Sequence, residues 1–77
     1  MSAFKITIRE NPGKRAICET RMRYDVLLNG EAVGELWYNM RGYIGSLPQP
    51  NGRSIGIGES GISTWKRLAA QLNREAQ

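Results

Sequence analysis

Apolar and polar residues alternate along the first third of the chain with the period of two that is typical of half-buried β-strands. Residues 4–8 alternate in this way, and a longer alternation runs from residue 18 to residue 28. In the longer segment, six positions fall on the largely apolar phase and four charged positions fall between them. The two segments are separated by Asn11-Pro12-Gly13, which has the composition of a turn. The pattern predicts two strands.

Asn29-Gly30 follows the second strand and is a common signature of a short β-hairpin. A two-residue loop would point Glu31, Glu35 and Trp37 toward the core. A three-residue loop over residues 28–30, with Gly30 in a left-handed conformation at a bulge, turns those side chains outward. Burying unpaired carboxylates costs several kcal/mol, roughly 2–7 for a polar group and more for a charge. We therefore predict the three-residue loop.

This choice of loop has consequences across the predicted hairpin. It sets Arg23 opposite Glu35, as a cross-strand ion pair, and Arg21 opposite Trp37, as a contact between a cation and an aromatic ring. The inner face of the hairpin is then formed by Met22, Tyr24, Val26, Ala32, Gly34, Leu36, Tyr38 and Met40.

Turn signals divide the next part of the chain. Residues 39–42 indicate a second tight turn, and residues 43–47 a returning strand. Residues 48–52, with two prolines and Asn-Gly, predict a loop. Residues 53–57 predict a short strand with Ile55 and Ile57 pointing inward.

The period changes near the C-terminus to spacings of three and four, the pattern of an amphipathic helix. The apolar stripe consists of Ile62, Trp65, Leu68, Ala69 and Leu72. It predicts a helix over roughly residues 62–74, capped by Ser60 or Ser63, with Trp65 and Leu68 packed on Tyr24 and Leu36. The chain is thus predicted to be a single α+β domain over residues 1–77: an antiparallel β-meander of four to five strands packed by one C-terminal amphipathic helix.

Composition argues against catalysis. There is no histidine, Cys18 is the single cysteine, and the acidic residues are spread singly along the chain. We therefore expect no enzyme activity, no metal site and no cofactor. No segment has the length and apolarity of a membrane span or the apolar core of a signal peptide, so we expect a cytoplasmic protein with no membrane partner.

Residues 56–61 match the G-x-G-x-x-G pattern of dinucleotide-binding folds. That fold needs a further strand and an acidic residue about 20 positions later. Only sixteen residues follow Gly61, and Glu59 would place negative charge beside the phosphates. We interpret the segment as a glycine-rich corner between a strand and the helix.

Positive charge and exposed rings suggest binding. Eleven Lys and Arg against seven Asp and Glu give a net charge of +4 and a pI near 9.7, and eight of the eleven are arginines. Rings beside guanidinium groups, as in residues 37–43, can stack on bases, bind protein or form an ordinary surface. The motif of RNA-recognition domains is absent. The residues that we expect to bind a partner are Arg21, Arg23, Trp37, Arg41, Tyr43, Arg53, Arg67 and Arg74.

The stretch of the chain from residues 38–43 to residues 65–67 resembles small orphan proteins of phages and other mobile elements, among them anti-CRISPR proteins. The resemblance lies in size, compactness and the lack of catalytic residues. It implies a stoichiometric inhibitor that occupies the surface of an acidic protein or a nucleoprotein complex of the host. The alternatives are weakly specific binding to RNA or single-stranded DNA, and a structural subunit that forms a homodimer through an exposed edge strand.

Overall fold

The computed structural model describes residues 3–12 and 23–76 and shows an antiparallel meander packed by one C-terminal helix, as predicted. The elements are β1 (Ile6–Glu10), β2 (Tyr24–Leu28), β3 (Glu31–Asn39), β4 (Gly42–Ile44), β5 (Leu47–Pro48), β6 (Ser54–Ile55) and α1 (Ile62–Glu75). Strands β1 to β4 form one sheet in sequence order, and β5 and β6 form a separate pair. The fold is therefore α+β. The part of the predicted second strand over residues 18–22 lies outside the described residues.

The core lies between α1 and one face of the four-stranded sheet, which we call the inner face. Its buried side chains are Ile6, Val26, Leu36, Tyr43, Leu47, Trp65, Ala69 and Leu72. The indole N–H of Trp65 donates a hydrogen bond to the carbonyl oxygen of Tyr43 at 3.0 Å, so burial of the ring leaves no polar atom unsatisfied. Tyr24 and Leu68 are half-buried against this cluster. Trp65 and Leu36 share this core, and Leu68 and Tyr24 pack against it, in agreement with the prediction that the helix covers the sheet here.

The β2–β3 hairpin has a two-residue loop, so the predicted three-residue loop is wrong. Leu28 lies opposite Glu31, and the two residues between them have positive φ angles, 55° for Asn29 and 86° for Gly30. This is the left-handed geometry whose twist matches that of the flanking strands. The left-handed conformation predicted for Gly30 is confirmed.

A bulge in β3, directly after Ala32, explains how a two-residue loop is compatible with outward-facing Glu35 and Trp37. Leu27 pairs with Ala32 and Val26 pairs with Gly34, so Val33 is an extra residue without an opposite partner. The extra residue returns the later residues of β3 to the faces predicted for them. Leu36 points inward, and its neighbours Glu35 and Trp37 point outward. The sequence argument placed the bulge at the turn, whereas the structure places it inside the strand.

The predicted cross-strand pairs change with this register. Asp25, not Arg23, lies opposite Glu35. Two residues predicted for the inner face are also elsewhere: Ala32 is exposed opposite Leu27, and Met40 is 95% exposed in the turn between β3 and β4. Met22 lies outside the described residues.

The predicted strand over residues 43–47 divides into two elements. β4 ends at Ile44, and Leu47 starts β5, where it pairs with Ile55 of β6. Ile55 is half-buried as expected, but Ile57 is 37% exposed and does not point into the core. β6 ends at Ile55, and the chain turns through Gly58, which has a φ of +77°. The glycine-rich segment is therefore a corner that leads into α1.

Helix α1 begins at Ile62, where the sequence pattern placed its start. Its N-cap is Gly61, and no side chain caps the helix, so the predicted cap by Ser60 or Ser63 is wrong. The backbone of Ser60 is held by β4 instead: its N–H donates to the carbonyl oxygen of Tyr43 at 3.1 Å, and its carbonyl oxygen accepts from the Tyr43 N–H at 2.8 Å. This bridge fixes the residue before the helix as an added partner of the sheet.

Candidate interaction surface

Strand alternation places Trp37 on the sheet face turned away from α1, which we call the outer face. Its neighbour Leu36 is fully buried on the inner face, whereas Trp37 is 43% exposed. Trp37 pairs directly with Ile44 of β4, which is itself 41% exposed. Two large apolar side chains therefore lie side by side on the surface of the protein.

Arg23 covers the ring of Trp37. The guanidinium carbon of Arg23 lies 3.6 Å from the centroid of the indole ring, which is the geometry of a cation–π contact. The sequence predicted this contact for Arg21, which lies outside the described residues. The observed register, displaced from the predicted one, gives the role to Arg23.

A groove of about 410 Å³ runs beside Trp37 on the outer face, and we call it the Trp37 groove. It is lined by Val33, Gly34, Glu35, Trp37, Ile44, Gly45, Ser46, Pro48 and Ser54. Val33, at the bulge, is 52% exposed, so three large apolar side chains are open to solvent along one groove. Large exposed apolar groups that are contiguous mark interaction sites more often than scattered ones do.

Gly45 determines the shape of this groove. Its φ is +152°, and a Cβ atom at this position would lie 2.8 Å from the carbonyl oxygen of Glu35 and 2.8 Å from a side-chain methyl carbon of Leu36. Only glycine therefore fits where the chain passes Leu36 after β4, on the way to Pro48, which lines the groove with Trp37.

Charges on the paired part of the outer face are balanced. Arg9 forms an ion pair with Asp25 at 3.6 Å, and Asn11 donates a hydrogen bond to the same carboxylate at 2.8 Å. Asp25 is 7% exposed and lies opposite Glu35 in the neighbouring strand. With Arg23, this part of the sheet carries two cations and two carboxylates among the described residues. Within residues 3–12 and 23–76, positive charge is not concentrated beside Trp37.

The remaining predicted binding residues do not join this surface. Arg41 is exposed in the turn after β3, with its guanidinium 4.0 Å from the Glu59 carboxylate, and Arg53 is exposed before β6. Arg67 and Arg74 are exposed on α1. Among the described residues, Arg23 is the predicted cation that contacts Trp37, whereas Arg67 and Arg74 lie on α1, on the other side of the sheet.

Tyr43 lies in the core rather than on the surface. It is 8% exposed, and its ring packs edge-on against Tyr24 at 5.2 Å and against Tyr38 at 5.3 Å between centroids. A substitution at Tyr43 therefore probes packing first.

Sequence reasoning missed Val33, Ile44 and Glu35 as residues of the site. Val33 carries a signal in retrospect, because it is a large apolar residue on the phase of β3 that otherwise holds Glu35 and Trp37. Ile44 gives no such signal: its exposure depends on where the β5–β6 pair lies, and this is a tertiary feature.

The described residues contain neither a metal-ligand group nor a helix suited to a membrane. Within residues 3–12 and 23–76, no three His, Cys, Asp or Glu side chains are grouped as metal ligands, and no helix has the length and apolarity to cross a membrane. Comparisons with protein-family models, curated proteins and solved structures find no match to the chain.

Proposed function

We propose that this chain is a non-enzymatic binding module that docks a partner protein through the Trp37 groove. The observation that carries the proposal is the half-exposed indole of Trp37, held under the guanidinium of Arg23 at the edge of an apolar groove. Trp and Arg are the residue types that most often dominate the energy of protein interfaces.

The stack supports docking because it limits the motion of both side chains before a partner arrives. Ordering a rotamer-rich side chain on binding costs about 0.5–1.5 kcal/mol. Arg23 already rests on the Trp37 ring at 3.6 Å, so part of this cost is met in the free protein. Val33 and Ile44 supply apolar area on either side, and burial of such area favours association.

The charge pattern favours a protein over a nucleic acid as the partner. On the face that carries Trp37, Asp25 and Glu35 offset the charges of the described cations, so this face attracts a phosphate backbone only weakly. The guanidinium of Arg23 also covers one side of the indole, where an unpaired base would otherwise stack. A protein surface that brings an apolar side chain to the groove meets neither obstacle.

Nucleic acid is the second candidate, and the observation in its favour is on the helix. Lys66, Arg67 and Arg74 are all exposed on α1 and can reach phosphates. Such binding would be electrostatic and weakly specific, and each phosphate contact would add roughly 0.7–0.9 to the slope of log affinity against log salt.

The resemblance to phage and mobile-element proteins suggests the form that docking takes. We propose a small accessory protein that inhibits a host protein or nucleoprotein complex by occupying its surface, as anti-CRISPR proteins do. The Trp37 groove presents the indole of Trp37 to a partner, and no residue of the chain is assigned to catalysis. Both features suit an inhibitor that acts by binding its target stoichiometrically.

Affinity capture from host lysate, with and without nuclease, tests the proposal. The bait proteins are the wild type, Trp37→Ala and Met40→Ala; the last removes an apolar side chain that is 95% exposed and lies outside the groove. We expect a nuclease-resistant partner that is retained by the wild type and Met40→Ala and lost by Trp37→Ala.

A titration of labelled single-stranded DNA and RNA at two salt concentrations completes the test. Sub-micromolar binding that collapses at the higher salt concentration, and that Trp37→Ala leaves unchanged, would replace the protein-docking proposal with the nucleic-acid one. Equal capture by Trp37→Ala and the wild type would show that the groove is not the docking site.

A further inference from the structure

Strand β1 is an edge of the four-stranded sheet, and its free hydrogen-bonding groups can be assigned from its register. Lys5 exchanges bonds with Asn29, and the Asn11 N–H donates to the carbonyl of Arg23, so the odd-numbered residues of β1 face β2. In an antiparallel pair the alternate residues direct N–H and C=O away from the partner. Ile8 and Glu10 therefore present their backbone groups to the outside, and no described residue pairs with them.

Asn73 of α1 occupies the first position of this edge. Its side-chain oxygen accepts from the N–H of Ile6 at 2.8 Å, and its side-chain nitrogen donates to the carbonyl of Ile6 at 3.1 Å. One amide group thus satisfies both groups of Ile6, as the peptide group of an added strand would. The next position along the edge, Ile8, has the same orientation but no such amide beside it.

A groove of about 310 Å³ lies between this edge and α1. Its walls are apolar or small, and its charged residues are Lys5 and Lys66; no acidic side chain of the described residues lines it. The full lining is Lys5, Ile6, Thr7, Ile8, Lys66, Ala69, Ala70 and Asn73. The groove therefore combines an open strand edge with positive charge.

We propose that the β1 edge binds an extended, acidic peptide segment of a partner protein by strand addition. Its backbone pairs with Ile8 and Glu10, and its carboxylates approach Lys5 and Lys66. This surface shares no lining residue with the Trp37 groove, which lies beside β3 and β4 rather than at the β1 edge. The proposal does not depend on that groove.

A second copy of β1 fits the edge poorly. Asn73 blocks pairing at Ile6, and Pro12 has no N–H to donate at the other end. Ile8 and Glu10 remain, and symmetric antiparallel pairing of these two residues with a second copy would set Arg9 opposite Arg9. Like charges directly opposite each other destabilise a strand pair. Charge thus favours an acidic segment over self-association.

Nuclear magnetic resonance titration with ¹⁵N-labelled protein tests the proposal. The probe is an eight-residue peptide of alternating valine and glutamate; the controls are the same peptide with lysine for glutamate and a fully N-methylated version. We expect the amide signals of Ile8 and Glu10 to move downfield with the acidic peptide and to stay in place with both controls. Equal shifts with the lysine peptide, or shifts at Trp37 and Ile44 instead, would overturn the assignment.

Charge reversal on the protein gives an independent measurement. Lys5→Glu/Lys66→Glu should weaken binding of the acidic peptide about tenfold, whereas Arg53→Glu/Arg67→Glu, with the same change of net charge outside the groove, should change it less than about twofold. A thermal melt confirms that each variant is folded. Equal weakening by the two double variants would show that only the net charge of the protein matters, which would contradict a site at Lys5 and Lys66. If the amide signals of Ile8 and Glu10 instead report dimerisation in the absence of peptide, a second copy of the chain, and not an acidic peptide, occupies the edge.

Discussion

The two tryptophans show how differently the two faces of one sheet use the same residue type. Trp65 is fully buried against the inner face, with its indole N–H bonded to a backbone carbonyl. Trp37 stands on the outer face, 43% exposed, and the guanidinium of Arg23 lies over its ring. The first ring stabilises the fold, and the second is available to a partner.

This comparison separates stability from binding within a very small chain. A domain of 77 residues has only a modest core, so a large apolar side chain that stays outside it forgoes stabilisation that the fold could use. Val33 and Ile44 do the same beside Trp37. The apolar side chains of the outer face therefore add less to stability than they would in the core, which is the physical reason for proposing that they bind a partner.

The largest effect is expected at Trp65. Trp65→Ala should destabilise the fold by about 3–5 kcal/mol, close to the whole stability of a domain of this size, because it opens a cavity in the core. Trp37→Ala should change the free energy of unfolding by less than about 1 kcal/mol. Urea denaturation followed by circular dichroism measures both, and similar losses for the two variants would contradict the division between the faces.

Gly45 tests whether the chain after β4 packs on β3 as closely as the structure shows. Gly45→Ala should destabilise by about 1–3 kcal/mol, because the new methyl group would lie 2.8 Å from the Glu35 carbonyl oxygen and from the Leu36 side chain. Gly34→Ala is the matched control: it lines the same groove, and no atom lies within 4 Å of its added Cβ. Thermal melts of both variants decide the point, and equal stability of Gly45→Ala and the wild type would refute it.

Gly30 tests the turn that determines which residues reach the outer face. Gly30→Ala should cost about 1 kcal/mol, because φ is +86° while the space around the position is open. Gly30→Asn should retain most of the stability, since asparagine tolerates left-handed conformations. A melting temperature for Gly30→Ala at or above that of the wild type would argue against the left-handed turn.

The smallest expected effect is at Arg23. Arg23→Ala should change stability by about 0.5–1 kcal/mol, the usual worth of an exposed cation–π contact. It should also alter the fluorescence of Trp37, measured in a Trp65→Phe background so that one indole emits. Arg53→Ala, an exposed arginine before β6, is the control and should leave the emission unchanged.

Local patterns predicted most of the elements, because each element has its own period. The change from period two to spacings of three and four placed the start of α1 at Ile62, where the structure has it. Asn29-Gly30 marked the hairpin turn, and its conformation agrees. The missing side-chain cap of α1 could not be foreseen, since the backbone of Ser60 is bound by Tyr43, a residue seventeen positions earlier.

The hairpin register was mistaken for a specific reason. The predicted register set Glu35 opposite Arg23, and the structure sets it opposite Asp25, two residues away. Beyond the bulge, this shift of two residues leaves the residues of β3 from Gly34 onward on their predicted faces, so the hydrophobic pattern of that part cannot distinguish the two registers. Only the charged partners differ, and exposed pairs contribute too little to reveal the choice.

By itself the sequence determined the fold class, the order of most elements and the outward position of Trp37, because alternation and helical spacing act over a few neighbouring residues. The tertiary structure decided that Arg23 stacks on Trp37, that Tyr43 is buried, and that the cations of α1 lie apart from the exposed ring. These features depend on contacts between strands, on the bulge at Val33 and on the close passage of Gly45 over β3. Such contacts join residues that are distant in sequence, and no local period records them.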